Sequence, residues 1–223
     1  MELSVETIVA QLRALDLETH KIQPGLLAPP LVVGSTAKVA PGTDQLLSPK
    51  TVYRGLRALT ETDEILAGAN IAYDFGVLAA EDPTLLPIIF RLFDERRVYD
   101  VLIGEALDAI AAGHLFRQAD GRSLVDPSKG KKAKKYSLDI VTHLETGRVD
   151  AKKNDYWRLR YAILQRVPWR DWPPEAVQYP LDDARNSVDD AAALLRRGAR
   201  NVGDMPAQVE TAFGLHLGAI WGL

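Results

Sequence analysis

Arg13-Ala14-Leu15-Asp16-Leu17-Glu18 is a compact, strand-like stretch that carries two carboxylates two positions apart. Because side chains alternate between the two faces of a β-sheet, Asp16 and Glu18 are expected on the same face. Carboxylates that share one face of a strand suit a metal ion. An exposed strand face explains an isolated pair of acids equally well. The pair therefore indicates a metal site only if the fold brings other acids beside it.

Further strands and a helix are predicted after this stretch. Residues 30–36 are expected to form a second strand, and the turn-rich residues between the two strands indicate a hairpin-like start. Ser48-Pro49 has the pattern of a helix N-cap followed by proline, which predicts a helix to about Thr60. Residues 64–68 are expected to form another strand. The mixture of elements predicts an α/β fold.

The second half of the chain is predicted to be mainly helical. Apolar residues recur at helical spacing from residue 73 to about 112, with interruptions at Asp82-Pro83 and at an extended piece over 97–99. Residues 119–135 have loop composition, which leaves room for a late strand. Ser137 is expected to cap a helix, and residues 175–197 are expected to be helical with a break at Pro180.

The composition fits a folded domain in a reducing compartment. Of the 223 residues, 47% are hydrophobic and 26% are charged, which excludes a disordered or fibrous chain. With 27 Lys and Arg against 30 Asp and Glu, the net charge is -3, so any contact with nucleic acid requires a local basic patch. The absence of cysteine excludes disulfides, thiolate zinc sites and cysteine nucleophiles. An acidic start without a long apolar run predicts a soluble, cytoplasmic protein that has no membrane partner.

Acids also occur at two later places in the chain. Asp74 is expected where the strand at 64–68 passes into a helix, although a helix N-cap is an equally ordinary role for it. Tyr179 and Asp183 are four residues apart, so a helix that continues through both puts them on one face. Pro180 complicates this placement, because proline inside a helix either kinks it or makes it restart.

Taken in order, three segments resemble the motifs of the DEDD superfamily of 3′-5′ exonucleases, in the subclass with tyrosine in the third motif. The segments are Leu15-Asp16-Leu17-Glu18-Thr19, Gly68-Ala69-Asn70-Ile71-Ala72-Tyr73-Asp74, and Tyr179 with Asp183. The likeness is greatest to the proofreading domain of family A DNA polymerases. It implies an RNase H-like α/β fold, a mixed five-stranded sheet flanked by helices, for an exonuclease domain over residues 1–198. A C-terminal helical extension is expected at 199–223, either docked on the domain or the start of a missing polymerase domain.

The same resemblance implies the residues of the site. Two divalent cations would be held by Asp16, Glu18, Asp74 and Asp183. Hard oxygen ligands without cysteine favour Mg²⁺ or Mn²⁺ over zinc. Tyr179 would orient the attacking water, and the motif spacing favours Asp183 over Asp182 as the ligand. Thr19 and Asn70 resemble positions that touch the terminal nucleotide, although a strand-end threonine and a turn asparagine are equally good interpretations.

Basic and aromatic residues are less specific signals. Five lysines lie between residues 129 and 135, where they would follow a phosphate backbone or simply form a solvated loop, the simpler interpretation. More positive charge comes from Lys152, Lys153, Arg158 and Arg160. Four aromatic residues are interpreted as core rather than as base-stacking residues: Trp157, Tyr161, Trp169 and Trp172. The histidines, His20 among them, have no partner at ligand spacing and are interpreted as bystanders.

The predicted function is a 3′-5′ exodeoxyribonuclease that releases nucleoside 5′-monophosphates from the 3′ end of single-stranded DNA. The domain would proofread for a DNA polymerase or be a truncated version of one. One alternative is a free-standing exonuclease that trims RNA, since no residue reports on tolerance of a ribose 2′-hydroxyl. Another is a catalytically silent domain that binds single strands. The silent domain is disfavoured, because a domain that only binds has no need of four mutually repelling acids.

Overall fold

The structure is a computed structural model that describes residues 4–111, 137–148 and 155–201, without the side chains of 109–111, 155 and 199–201. Several predictions from the sequence lie outside these residues. They are the loop with its room for a strand at 119–135, the lysine run at 129–135, Lys152 and Lys153, and the extension beyond residue 201.

Within the described residues, five strands form one mixed sheet. They are β1 (Leu12–Thr19), β2 (Leu31–Lys38), β3 (Gln45–Leu47), β4 (Ile65–Gly68) and β5 (Val98–Asp100). The order across the sheet is β3-β2-β1-β4-β5; β2 runs antiparallel to β1 and β3, whereas β4 runs parallel to β1 and β5. The predicted mixed five-stranded sheet is confirmed. Its edge strand β3 was not expected from the sequence.

Helices cover both faces of this sheet. They are α1 (Val5–Ala10), α2 (Pro49–Ala58), α3 (Ile71–Glu81), α4 (Leu86–Asp94), α5 (Val101–Ala111), α6 (Leu138–Thr146), α7 (Asp155–Arg158) and α8 (Pro174–Asn201). The predicted cap of α2 is confirmed, because the Ser48 hydroxyl accepts a hydrogen bond from the Thr51 N–H at 3.2 Å. Ser137 does precede α6, but its side chain forms no capping bond. None of the described helices combines the length and hydropathy needed to cross a bilayer.

The alternation of side chains along β1 divides the core between the two faces. Leu12 and Ala14 pack with α1, α5, α6 and α8, whereas Leu15 and Leu17 pack with α2, α3 and α4. The even-numbered positions of β1 therefore face α8. This places Asp16 and Glu18 on the α8 side of the sheet.

A third apolar cluster packs the segment before α8 against β2. Val32 and Val33 of β2 belong to one buried cluster with Tyr161 and the indoles of Trp157 and Trp172. These three aromatic residues are core, as the sequence indicated. Trp169 differs, because 40% of it is exposed.

The predicted break of the last helix at Pro180 is wrong, because α8 runs without interruption through this residue. Proline lacks the N–H that would bond the carbonyl four residues earlier, and its ring crowds that carbonyl. The helix continues because other groups replace the missing bond, as described for the site below.

Asp190 is a buried acid on the face of α8 that packs against α6. Its Oδ2 accepts a hydrogen bond from the Thr142 hydroxyl at 2.7 Å. Burial raises the pKa of Asp190 to about 7, and the charges of Glu145 and Asp189 add to this effect. The bond from Thr142 and the charge of Arg148 act in the opposite direction. Asp190 is therefore protonated in the folded protein at pH values where the unfolded chain has released this proton.

We expect Asp190→Asn to flatten the pH dependence of stability between about pH 4 and pH 7. In this window the folded state binds the Asp190 proton and the unfolded state does not, so stability falls as the pH rises. The slope from one such group is at most about 1.4 kcal/mol per pH unit. Urea unfolding between pH 4 and pH 8 measures it, with the exposed Asp94→Asn as control. An unchanged slope in Asp190→Asn would contradict the protonated buried carboxyl.

Candidate active site

The end of β1 and the middle of α8 together build an acidic cluster. The carboxylates of Asp16, Glu18 and Asp183 each offer an oxygen, and these oxygens all lie within 4.8 Å of one another. Glu18 and Asp183 are buried, whereas Asp16 is half-buried. The cluster joins a central strand to a helix that is more than 160 positions later in the sequence. Three of the four acids that the sequence singled out are thus brought together.

Asp74, the fourth acid, lies beside this cluster without belonging to it. It occupies the first turn of α3, just after β4, and is buried. Burial raises the pKa of Asp74 well above its usual range, and the negative charge of Asp16 raises it further. The backbone N–H groups of Asp74 and Leu17 oppose this by stabilising the ionised form. The N-cap of α3 is Asn70, so Asp74 is not the cap of this helix.

Asp100 fixes the start of the helix that carries Asp74. Its Oδ2 accepts from the Ile71 N–H at 3.0 Å, and its Oδ1 accepts from the N–H groups of Leu102 at 2.9 Å and Ile103 at 3.2 Å. One buried carboxylate at the end of β5 therefore joins the N-termini of α3 and α5. Asn70, directly before Ile71, has a left-handed backbone with φ 61°, which asparagine adopts more readily than most residues.

Tyr179 lies one helical turn before Asp183 on α8. Burial raises the pKa of its phenol, and the charges of Asp183, Glu18 and Asp16 raise it further. The hydroxyl is therefore neutral and keeps its proton. Asp182 is exposed, and its Oδ1 accepts from Gln178 Nε2 at 2.7 Å. Asp183, and not its neighbour, lies in the cluster.

Pro180 sits between Tyr179 and Asp183, and two hydroxyls support the helix around it. Proline leaves the Ala176 carbonyl without its helical N–H partner, and the Tyr161 hydroxyl donates to that oxygen at 2.9 Å. The Ser35 hydroxyl donates to the Pro180 carbonyl at 2.7 Å. Both hydroxyl-bearing residues are buried, and Ser35 pairs with Asp16 across the sheet. These two bonds connect the part of α8 around Pro180 to β2 and to the segment before the helix.

The two residues expected to touch a nucleotide are close in sequence to acids of the site, Thr19 directly after Glu18 and Asn70 four positions before Asp74. The Thr19 hydroxyl at the end of β1 donates to the His20 carbonyl at 2.9 Å and is 2.9 Å from the Tyr73 hydroxyl. Asn70 is exposed in its turn. His20 is 3.0 Å from Gln165 through Nε2 and Oε1, so it ties β1 to the segment before α8 rather than standing apart.

The donor set suits hard divalent cations. Three carboxylates within 4.8 Å of one another supply oxygen ligands and excess negative charge, and a fourth carboxylate is buried beside them. Mg²⁺ and Mn²⁺ prefer such ligands. Cations at this place would relieve the repulsion between the acids.

Sequence reasoning did not find all the residues that shape this site. Ser35 and Asp100 were not considered, and Tyr161 was interpreted only as core. Asp100 had a usable signal, because an acid between a strand and a helix is typical of an N-cap. Ser35 had none, since strand pairing with Asp16 is not visible in the sequence.

The fold is similar to that in the crystal structure of the Aedes aegypti Nibbler EXO domain. The TM-score is 0.60 at 11% sequence identity, and the alignment covers 94% of this chain and 89% of that chain. No protein-family model matches the chain, and no curated protein matches it. The chain is therefore an α/β protein of the RNase H-like fold.

We expect Tyr161→Phe to lower the free energy of unfolding by about 1 to 3 kcal/mol, because it leaves the buried Ala176 carbonyl without a donor. Pro180→Ala restores the helical N–H to this carbonyl. In the Pro180→Ala background, Tyr161→Phe should therefore cost much less. Urea unfolding of the four proteins in this double-mutant cycle measures the coupling. Additive effects would show that the Tyr161 hydroxyl does not replace the missing bond.

Proposed function

We propose that this protein is a metal-dependent 3′-5′ exonuclease that removes nucleoside 5′-monophosphates from the 3′ end of single-stranded DNA. The observation that carries the proposal is the convergence of carboxylate oxygens of Asp16, Glu18 and Asp183 within 4.8 Å of one another, on the central strand of an RNase H-like sheet and the helix packed against it. The buried Asp74 beside them and the neutral Tyr179 support the same reaction. In this proposal the three motifs place the chain in the tyrosine subclass of DEDD exonucleases.

The residues divide into two roles in this proposal. Asp16, Glu18 and Asp183 would hold one divalent cation, and Asp16 with Asp74 would hold a second. Bound there, the cations supply charge stabilisation for the attacking and leaving oxygens at phosphorus. The Tyr179 hydroxyl donates a hydrogen bond that orients the attacking water. Because water is the nucleophile, no covalent enzyme intermediate forms.

The substrate and setting follow from the family resemblance. The three motifs together are most similar to those of proofreading domains of family A DNA polymerases, so we propose DNA as the preferred strand and a DNA polymerase as the functional context. In this proposal Thr19 and Asn70 contact the terminal nucleotide. The alternative is an exonuclease that trims RNA. The rates of degradation of DNA and matched RNA distinguish the two functions.

We expect a 5′-labelled single-stranded DNA to shorten from its 3′ end in Mg²⁺ or Mn²⁺ and to stay intact in EDTA. Matched RNA should be degraded more slowly. Asp16→Asn should reduce the rate at least about 100-fold, since the metal site contributes several kcal/mol to transition-state stabilisation. The control is Asp182→Asn, which removes an exposed acid outside the cluster. Faster degradation of RNA would instead assign the RNA-trimming function.

Metal binding is testable without activity. Saturating Mn²⁺ should raise the unfolding free energy of the wild type, by about 2.7 kcal/mol when its concentration is 100 times the dissociation constant. Asp183→Asn should be at least as stable as the wild type in EDTA, because one repelling charge is gone, and should lose most of the gain from Mn²⁺. Thermal unfolding with and without Mn²⁺ measures both effects. An equal Mn²⁺ effect in the variant and wild type would place the metal elsewhere.

A further inference from the structure

The segment from Tyr156 to Arg170, called here the arginine segment, is a basic part of the chain beside the acidic cluster, since the charges of Glu18, Asp16 and Asp183 act on its Tyr161. It contains four arginines and no acidic residue, in a protein whose net charge is -3. All four are exposed: Arg158, Arg160, Arg166 and Arg170. Arg170 is 3.7 Å from Asp171, just beyond the segment. The remaining three form no ion pair within the described residues.

The arginine segment is held next to the acidic cluster. Tyr161 is buried against β2 and donates to α8, so the segment cannot move independently of the helix that carries Asp183. Gln165 bonds His20, two residues after Glu18. The positive charge of Arg158 acts on the Tyr179 phenol, where it opposes the rise in pKa. Arg158 is therefore close enough to act on a residue of the site, and the other three arginines belong to the same anchored segment.

The same segment exposes aromatic rings. Tyr156 is 46% exposed, and the Arg160 guanidinium lies over its ring at 3.8 Å from the centroid. Trp169 is 40% exposed and contacts Trp172 edge-on, at 6.4 Å between ring centroids. Trp172 in turn donates its indole N–H to the Val167 carbonyl. A buried neighbour already holds such an exposed ring in place. The ring therefore loses little conformational entropy when a base stacks on it.

Exposed rings and exposed arginines on one segment match the chemistry of a nucleic-acid single strand. Arginines neutralise phosphates, and rings stack on bases without reading their sequence. An acidic protein partner would satisfy the arginines but would not explain rings beside a carboxylate cluster. The acids themselves repel phosphates, so a strand needs compensating positive charge close to the site.

We propose that the arginine segment binds the single-stranded nucleic acid upstream of the 3′ end that enters the acidic cluster. This proposal rests on the proposed exonuclease function. It assigns the strand contacts to the face formed by Arg160, Arg166 and Trp169, on the side of the site from which α8 begins. Phosphates contact the arginines, and a base stacks on the Trp169 indole.

The test compares two double variants in a protein made inactive by Asp183→Asn. Arg160→Gln/Arg166→Gln removes charge from the segment, while Arg158 is left intact because it acts on Tyr179. Lys50→Gln/Arg54→Gln is the matched control, which removes two exposed charges from α2 on the opposite face of the sheet. Fluorescence anisotropy measures binding of a labelled strand of about 15 nucleotides at several salt concentrations.

We expect the segment variant to bind at least about tenfold more weakly than the control variant at low salt. The slope of log affinity against log salt should fall by about 1.4, because two phosphate contacts are lost from a single strand. Trp169→Ala should weaken binding at least about fivefold, with little change in that slope. Equal affinities and slopes for the segment and control variants would overturn the proposal.

A second measurement separates this proposal from the proposed function. In active protein, the ratio of cleavage rates for the long strand and a trinucleotide should fall about tenfold in Arg160→Gln/Arg166→Gln and stay constant in the control. If the wild type cleaves neither strand but binds through the segment, the exonuclease proposal fails and the binding surface stands. If the wild type cleaves both and the ratio does not change, the surface assignment fails alone.

Discussion

Repulsion between carboxylates at the end of β1 is the interaction on which the rest of the structure depends. Two unit charges about 4.8 Å apart repel by roughly 3 to 4 kcal/mol at an effective dielectric near 20. Three such pairs, among Asp16, Glu18 and Asp183, would cost about as much as the whole stability of an ordinary domain. The scaffold must therefore hold these groups together by packing around them. In the proposed function, bound cations would lower this cost, so part of the folding energy would go into preparing their binding site.

The groups that pack around the acids are neutral hydrogen-bonding side chains. Tyr161 and Tyr179 both keep their protons, because burial and the nearby carboxylates raise the pKa of each phenol. Ser35 is also neutral, and it lies directly across the sheet from Asp16. A buried lysine or arginine at any of these positions would neutralise the acids permanently and compete with a metal ion. Arg158, whose charge reaches Tyr179, stays exposed instead.

Local sequence signals were enough to predict most elements of the fold. The strands β1, β2 and β4 and the start of α2 follow from side-chain periodicity and a Ser-Pro cap, which act over a few residues. The edge strand β3 has only three residues, too few for a period to be recognised. The continuity of α8 through Pro180 was missed for a different reason. Its two supporting hydroxyls come from residues 15 and 145 positions away from the carbonyls they bond.

In the candidate site, too, the short motifs could be predicted from the sequence, whereas contacts between distant segments could not. The motif order placed Asp16, Glu18, Asp74 and Asp183, and the structure brings three of them within 4.8 Å. The residues that hold them in place could not be read from the sequence, because each acts through a contact between distant segments. Asp100 differs, because one of its two roles is local. It caps α5, which follows it directly, and it also accepts a bond from α3, which lies 29 positions earlier in the sequence. Recognition of a local cap would have found the residue but not its second role.

Net charge is a poor guide to what this protein attracts. The overall charge of -3 would repel a polyanion, but at physiological salt charges are screened beyond about 8 Å. A phosphate near the surface therefore responds to the few charges beside it. Along the arginine segment those charges are positive, and at the end of β1 they are negative. In the proposed function, a strand held by the arginines would present only its end to the acids, because phosphates that lie against the arginines would gain nothing by moving on to the acids. Separation of the two charges along the surface would thus favour attack at a terminus over attack within the strand.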